Sequence, residues 1–343
     1  MLSDYKKHYK YSAYLLIFKV LFIMTALKID FSAYAGMSLQ SEYMRSLPVC
    51  SFVQFATIFL QKNPRAKSRL SLKSALMNFI RFQDEYKESY NTDEIGKELL
   101  DDFANYLHIK QKLKINTVKG LIQRMKYFLK KAQMNGWAVD NSYTDVRIRN
   151  EDLFFIYLSE RDIARIYYFD GLTEREKELR DLFILGCMTG QRFSDYSHIT
   201  INNIVGDNIR MLTQKTKAKV CIPITKYVKE IFAKYNNCLP KACCIQYFNK
   251  VIKDICRKTG MTEMITYERE IAGEIKTIMV PKYRLITSHT ARRTFITNMI
   301  KNNIQESKIM GCTGHKSREC MNRYNQMTLE ENARSLAGNG YLD

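Results

Sequence analysis

From Ser288 to Tyr324 the chain reads SHTARRTFITNMIKNNIQESKIMGCTGHKSRECMNRY, and its side chains suit phosphoryl chemistry. His289 and Arg292 stand three apart in H-T-A-R, so on a helix they share one face. Ser288 is placed to cap that helix. A turn at Asn302 and Asn303 and a second short helix ending near Gly311 lead to Gly314 and His315 in G-C-T-G-H-K. Tyr324 follows nine residues later. The chain has 5 histidines, and His289 and His315 both fall in this stretch, which raises it above the tyrosine count of 22 as a signal.

A second group lies upstream. A helix opened by the capping pair Thr173 and Glu176 becomes apolar on nearly all sides at LFILGCM, which marks it as buried. It ends at Gly190, and Arg192 follows at once in T-G-Q-R-F-S-D-Y, with Asp195 placed to fix its guanidinium. Two alternating runs, 208–213 and 219–224, predict a β-hairpin with Lys215 and Lys217 at its tip. Cutting a phosphodiester without metal or water needs a nucleophile, and a tyrosine hydroxyl serves by forming a covalent phosphotyrosine. Two arginines can clamp the non-bridging oxygens as they gain charge. A lysine can protonate the leaving oxygen, and a histidine near neutral pKa can move the nucleophile's proton. Each residue also has a plainer reading. Arg192 paired with Asp195 makes a structural helix end, the histidines fit a core, and either hairpin lysine fits a solvated turn. Only the joint pattern is specific.

The elements that must position these groups are mostly helical. Helices are expected over 51–61, 71–90, 99–107 and 117–135, with Asn116 capping the last and Gly136 ending it. Val118, Leu121, Ile122, Met125, Leu129 and Ala132 form its apolar stripe. Its other face carries Lys119, Arg124, Lys126 and Lys130 with no acid between Thr117 and Gly136, which points to DNA phosphates. Residues 138–153 lose periodicity and read as a linker. Beyond it Ser159 opens a helix, a second strand pair is expected at 264–269 and 275–280 around Ala272-Gly273, and Thr328 with Glu331 opens a last helix. Lys plus Arg is 54 against 35 for Asp plus Glu, and 54 − 35 = +19 implies a polyanion partner. The 9 cysteines are odd in number and form no C-x-x-C, against a disulfide framework or zinc site and in keeping with a reducing cytoplasm. Residues 1–49 run basic, apolar, then Ala33-Tyr34-Ala35, an order that mimics an export signal. The apolar run is short and broken by Lys19, so a non-catalytic extension or a start set too early is expected there, with no membrane span.

The ordered set T-G-Q-R-F-S-D, Q-K-T-K-A-K-V-C-I-P-I, H-T-A-R-R-T-F, G-C-T-G-H-K and M-N-R-Y resembles the tyrosine recombinase (phage-type integrase) family over residues 65–337. The wording S-H-T-A-R-R and T-G-H-K is most similar to integrases of Bacteroides-type mobile elements. The resemblance implies a mainly α fold with small antiparallel β-hairpins: a helical SAM-like core-binding domain and a DNA breaking-rejoining catalytic domain. On that division 1–49 is the extension, 50–140 the core DNA-binding domain, 141–153 the linker and 154–343 the catalytic domain. It also implies Arg192 and Arg292 on the scissile phosphate and Lys215, not Lys217, as general acid. His289 and His315 assist proton transfer, Asp195 orients the first arginine, and Tyr324 is the nucleophile. The implied partners are double-stranded DNA recombination sites, a homotetramer on paired sites, and accessory DNA-bending or directionality proteins. No cofactor or metal is implied. A topoisomerase of the same chemistry, or a DNA-binding regulator with a relic site, would share much of the pattern. The helix beyond Tyr324 is expected to dock on a neighbouring protomer.

Overall fold

The structure, a computed structural model, describes residues 47–63, 68–151, 153–271 and 274–337. The extension expected over 1–49, apart from its last three residues, and the Ala272-Gly273 turn lie outside the described residues. The chain divides after Glu151 into two compact units. No described helix is long and apolar enough to cross a membrane.

The first unit packs helices α1 (Phe52–Lys62), α2 (Arg69–Tyr86), α3 (Lys97–Asn105) and α4 (Ile115–Met134), with a π-helical turn at Tyr106–Lys110. Its core is aromatic: Phe52 meets Phe79 and Phe128 edge-on at 5.1 and 5.9 Å, and Phe79 meets Phe103 at 5.1 Å. Edge-to-face pairing places ring hydrogens on π faces, so four large rings fill the centre without voids. Lys114 occupies the start of α4, and Asn116 does not cap it. Its side chain bonds both backbone groups of Glu151 instead.

The expected linker gives up its first part to this unit. Residues Asn141–Asp145 form a 3-10 turn, and Val139, Tyr143 and Val146 are buried in the helical core. Ser142 Oγ accepts from Lys97 N at the exposed start of α3, and Gly96 leaves room for it: a Cβ there would meet Asp140 Oδ2 at 2.0 Å. A segment that caps a helix through polar groups has no reason to keep a hydrophobic period, which is why it looks like a loop in sequence.

The second unit is built around α6 (Glu174–Thr189), buried from Leu179 through Cys187 and packed by α5 (Glu160–Tyr167), α8 (Lys226–Lys234), α9 (Ile245–Lys258) and α11 (Ser288–Lys301). Ser159 opens α5 as expected, boxed with Asp162, and the box expected at Thr173 with Glu176 forms. Buried Asp181 on α6 is matched by Arg180 at 2.8 Å, Lys234 at 2.7 Å and the Tyr235 hydroxyl at 2.8 Å. Short α7 (Phe193–Tyr196) leads to a three-stranded antiparallel sheet, β1 (Ile204–Val205), β2 (Asn208–Leu212) and β3 (Lys219–Pro223). Ile209 faces Ile222 across it, and both are buried. A two-stranded sheet, β4 (Met264–Ile271) with β5 (Glu274–Pro281), precedes α10 (Lys282–Leu285). Helices α12 (Glu306–Thr313), α13 (Arg318–Asn322) and α14 (Leu329–Ala337) close the chain. Helix α14 docks on its own unit, where Glu331 accepts from Tyr157 and, at 2.8 Å, from Lys301.

Helix α6 ends in Gly190 at φ 64, and a Cβ there would sit 2.4 Å from the Phe295 ring. Gly190→Ala combines left-handed strain with a clash and should lower stability by about 2–4 kcal/mol in urea unfolding. Gly136→Ala, at φ 80 but in open space, should cost only about 1 kcal/mol; equal losses would contradict this packing.

Candidate active site

Arg292 is 0% exposed, and among the described residues no carboxylate forms an ion pair with it. Its Nη1 donates to Gly190 O and its Nη2 to Thr313 O, each at 2.8 Å. Those carbonyls end helices α6 and α12, where unpaired C=O groups carry the negative end of the helix dipole. Two helix termini therefore hold the guanidinium from behind. The sequence prepares both in one way. Thr189-Gly190 and Thr313-Gly314 each place a left-handed glycine at the helix end, φ 64 and φ 70, and each threonine hydroxyl bonds the carbonyl four residues back at 2.8 Å. The next residues out are Gln191-Arg192 and His315.

Thr313 Oγ1 also lies 2.8 Å from His315 Nδ1, and Arg292 Nη2 lies 3.3 Å from Nδ1 and 3.0 Å from Nε2. A guanidinium can only donate, so the imidazole accepts from it. Burial, then the charges of Arg292 and Arg192, pull His315 from 6.5 to about 3. His289 is pulled to about 4 by burial, then by Arg293, Arg292, Arg192 and Lys215. Both imidazoles are neutral at physiological pH. His289 Nε2 lies 3.2 Å from the Tyr324 hydroxyl. The Tyr324 ring lies 5.3 Å from the His289 ring, 5.0 Å from His315, and under the guanidinium carbons of Arg292 and Arg293 at 5.4 and 5.7 Å. Thr297 Oγ1 holds Tyr324 O at 3.3 Å.

Burial, then the Arg192 charge, brings Arg292 down to about 10. Among the described residues Arg292 Nε and Arg192 Nη1 are buried donors with no partner. Unpaired buried donors between like charges are the groups an anion would satisfy.

Asp195 does not pair with Arg192. Its Oδ1 accepts from Gln214 N at 2.7 Å, and Gln214 Nε2 returns to Ser194 O at 2.6 Å. The carboxylate instead anchors the turn after β2, which carries Lys215. An amide N–H entering a turn has no strand partner and offers a fixed donor. Thr213 closes the turn by accepting from Lys217 N and bonding Ala218 N. Lys215 is exposed, and its charge is among those felt at His289. Thr287, not Ser288, occupies the N-cap of α11, with Thr290 completing the box. Ser288 N is taken by Asn249 Oδ1 at 2.7 Å.

The basic face of α4 is partly consumed within its own unit. Lys126 Nζ donates to Val146 O at 2.7 Å and Thr144 O at 3.1 Å, Lys119 Nζ to Asn150 Oδ1 at 2.8 Å, and Arg124 to Gly120 O. Segment 144–150 has carbonyls with no strand beside it, and these lysines meet them. Lys130 stays exposed. Sequence reasoning passed over Arg293, Thr313 and the Gly190 carbonyl. The R-R doublet and the repeated T-G pair were the available signals.

The arrangement of a clamped arginine, a second arginine near it, two neutral imidazoles and a tyrosine on a mostly helical scaffold is that of a DNA breaking-rejoining enzyme. Residues 51–149 match the phage integrase SAM-like domain and residues 157–331 the phage integrase family model. The chain belongs to the phage integrase family and is a tyrosine site-specific recombinase. No curated protein sequence matches it. Among solved structures it is similar to a lambda integrase dimer bound to a COC′ core site (TM-score 0.62, 16% identity, 80% of this chain and 93% of that one). It is also similar to the Tn1549 transposon integrase in complex with circular intermediate DNA (0.58, 12%, 83% and 99%). A lambda integrase tetramer bound to a Holliday junction aligns at 0.58 with 15% identity, over 80% of this chain and 75% of that one. At such identities these matches speak to the fold.

Both imidazoles titrate below 6.5 in the folded state, so the unfolded chain takes up their protons first on acidification. Their contribution to stability is complete above pH 6.5 and is lost as pH falls toward about 4 and about 3. Urea midpoints of the DNA-free protein should fall over that window and fall less steeply in His289→Gln. Parallel profiles would contradict the assignment.

Proposed function

We propose that the protein cuts and rejoins duplex DNA at specific sites through a 3′-phosphotyrosyl intermediate, serving integration or excision of a mobile element. The observation that carries this is the Tyr324 hydroxyl set 3.2 Å from a neutral imidazole, beside arginines with buried donors left unpaired. In the forward step Tyr324 Oη attacks the scissile phosphorus and its proton passes to His289 Nε2. The P–O5′ bond breaks, and O5′ takes a proton from Lys215. Arg192 and Arg292 bind the non-bridging oxygens as charge builds on them, and His315 keeps Arg292 in register. Rejoining runs the same step backwards from a 5′ hydroxyl, so no nucleotide cofactor is consumed. Asp195 serves by holding the Lys215 turn.

The helical unit, with 50–140 as its core, supplies core-site binding, and 154–343 the chemistry. Among the described residues Lys130 is the exposed member of the α4 set with no bond of its own, while Lys119, Arg124 and Lys126 reach phosphates only by exchanging their present bonds. A homotetramer on paired sites suits a reaction that cuts one strand per protomer, and the lambda integrase tetramer on a Holliday junction supports that reading. Accessory bending proteins and a cytoplasmic setting belong to it too. The S-H-T-A-R-R wording supports kinship with Bacteroides-type elements.

The test uses a duplex site selected from a random DNA library with the full-length protein, then nicked beside the cleavage position. A detergent-resistant protein–DNA adduct should form and disappear in Tyr324→Phe with DNA binding retained; an adduct surviving in Tyr324→Phe overturns the reading. Lys215→Ala should slow cleavage about 10²–10⁴-fold and regain the rate on a 5′-bridging phosphorothiolate, whose sulfur leaves without a proton. Lys217→Ala should change it only a few-fold, and rescue of Lys217→Ala instead of Lys215→Ala would reverse the assignment.

A further inference from the structure

Arg293 stands beside Arg292 and four residues, one helical turn, after His289. It is 8% exposed, yet no ion pair forms on it among the described residues, and its Nε is buried without a partner. A guanidinium taken out of water without an anion is costly and is usually paired. Here its neighbours are π faces. The guanidinium carbon lies 3.5 Å from the Phe155 ring centre and 5.7 Å from that of Tyr324. Phe155 follows Phe154, which is itself fixed by stacking on Tyr267 at 4.9 Å and 10°. A cation over the ring face is attracted by the quadrupole and is favoured further when the phenol oxygen gains negative charge.

The groups facing Tyr324 are neutral imidazoles or cations. Helix α11 presents His289, Arg292 and Arg293, and the turn after α12 presents His315. Next to it in the chain, Arg323 is paired with Glu319 at 2.6 Å. Arg292 is spent on two helix ends and, by the proposed function, on the phosphate. Arg293 has neither task.

We propose that Arg293 is a positioning residue for the nucleophile: held by Phe155, it fixes the Tyr324 ring and stabilises the negative charge that develops on Tyr324 Oη as its proton leaves. This rests on Tyr324 being the nucleophile, which the adduct assay with Tyr324→Phe decides first and separately. The charge of Arg293 also keeps His289 a weak base. Removing it makes His289 more basic, so an effect exerted through His289 alone would leave cleavage unchanged or faster at pH 8, where that imidazole is neutral with or without Arg293.

The experiment is single-turnover cleavage of the selected, nicked duplex at pH 8, with DNA binding and thermal unfolding measured alongside. Arg293→Met should cleave about 10–100-fold more slowly, a loss of one to two factors of ten in barrier terms, with duplex affinity within about 3-fold. Arg293→Lys should recover part of the rate. Replacing Tyr324 with a fluorinated, more acidic tyrosine should speed Arg293→Met more than it speeds the unmodified protein. Phe155→Leu, which keeps the apolar contact and removes the π face, should show a smaller loss in the same direction and decides the matter if Arg293→Met does not fold. Equal acceleration by fluorination in both proteins, an unchanged rate in Arg293→Met, or a loss confined to DNA affinity would overturn the proposal; the last would make Arg293 a phosphate contact.

Discussion

The catalytic unit depends on how it pays for one buried cation. Among the described residues no carboxylate bonds Arg292, and its charge is met by the carbonyl ends of α6 and α12. That choice leaves the guanidinium neutralised only in part, by dipoles at contact and by the charge of Asp195 from further off. An aspartate in the same place would satisfy Arg292 and also repel an incoming phosphate. Carbonyls hold the group in position and leave its remaining donor for an anion. Because each carbonyl is a helix terminus, both helices must end at the right place, and both do so at a left-handed glycine. Chain continuing past those ends delivers Arg192 and His315 at once.

The consequence is a site poised for a negative guest. The Arg192 charge depresses Arg292, and both arginines depress the two imidazoles, so in the DNA-free protein the histidines are neutral and the cationic charge rests on guanidinium and lysine. A neutral His289 can take the tyrosine proton, and a neutral His315 can accept from Arg292 without adding repulsion. The wider fold pays for this arrangement elsewhere. Helix α6 is packed on all sides by apolar residues, and its one buried carboxylate, Asp181, has three donors. The anion missing at the site is compensated by a rigid, well-satisfied support behind it.

Much of the catalytic unit was legible in the sequence because its signals are local. Capping at Ser159 and Thr173 depends on residues three apart, and the hairpin at 208–224 on alternation around a polar tip. Most of the points where the structure differs involve partners distant in sequence. Asp195 lies three residues from Arg192 but bonds Gln214. Asn116 stands where a cap would stand but is taken by Glu151, and Ser288 gave way to Thr287, whose box with Thr290 was equally available. Segment 141–146 was taken for a linker because its polar groups serve the end of α3 rather than a period of its own. The basic stripe on α4 was visible as charge, yet which lysines remain free was decided by carbonyls about 20 to 30 residues away.

The sequence by itself determined the inventory: a helical unit followed by a mixed one, the six groups suited to phosphoryl transfer, and their order along the chain. Motif wording carries that information because residue type and spacing are covalent facts. Tertiary structure alone decided which groups meet. The carbonyl cradle of Arg292, the loan of Asp195 to the lysine turn and the place of Arg293 over the Tyr324 ring are all set by contacts between elements. Such contacts follow from burial and from the donors and acceptors left over at helix ends, quantities that exist only once the chain has packed.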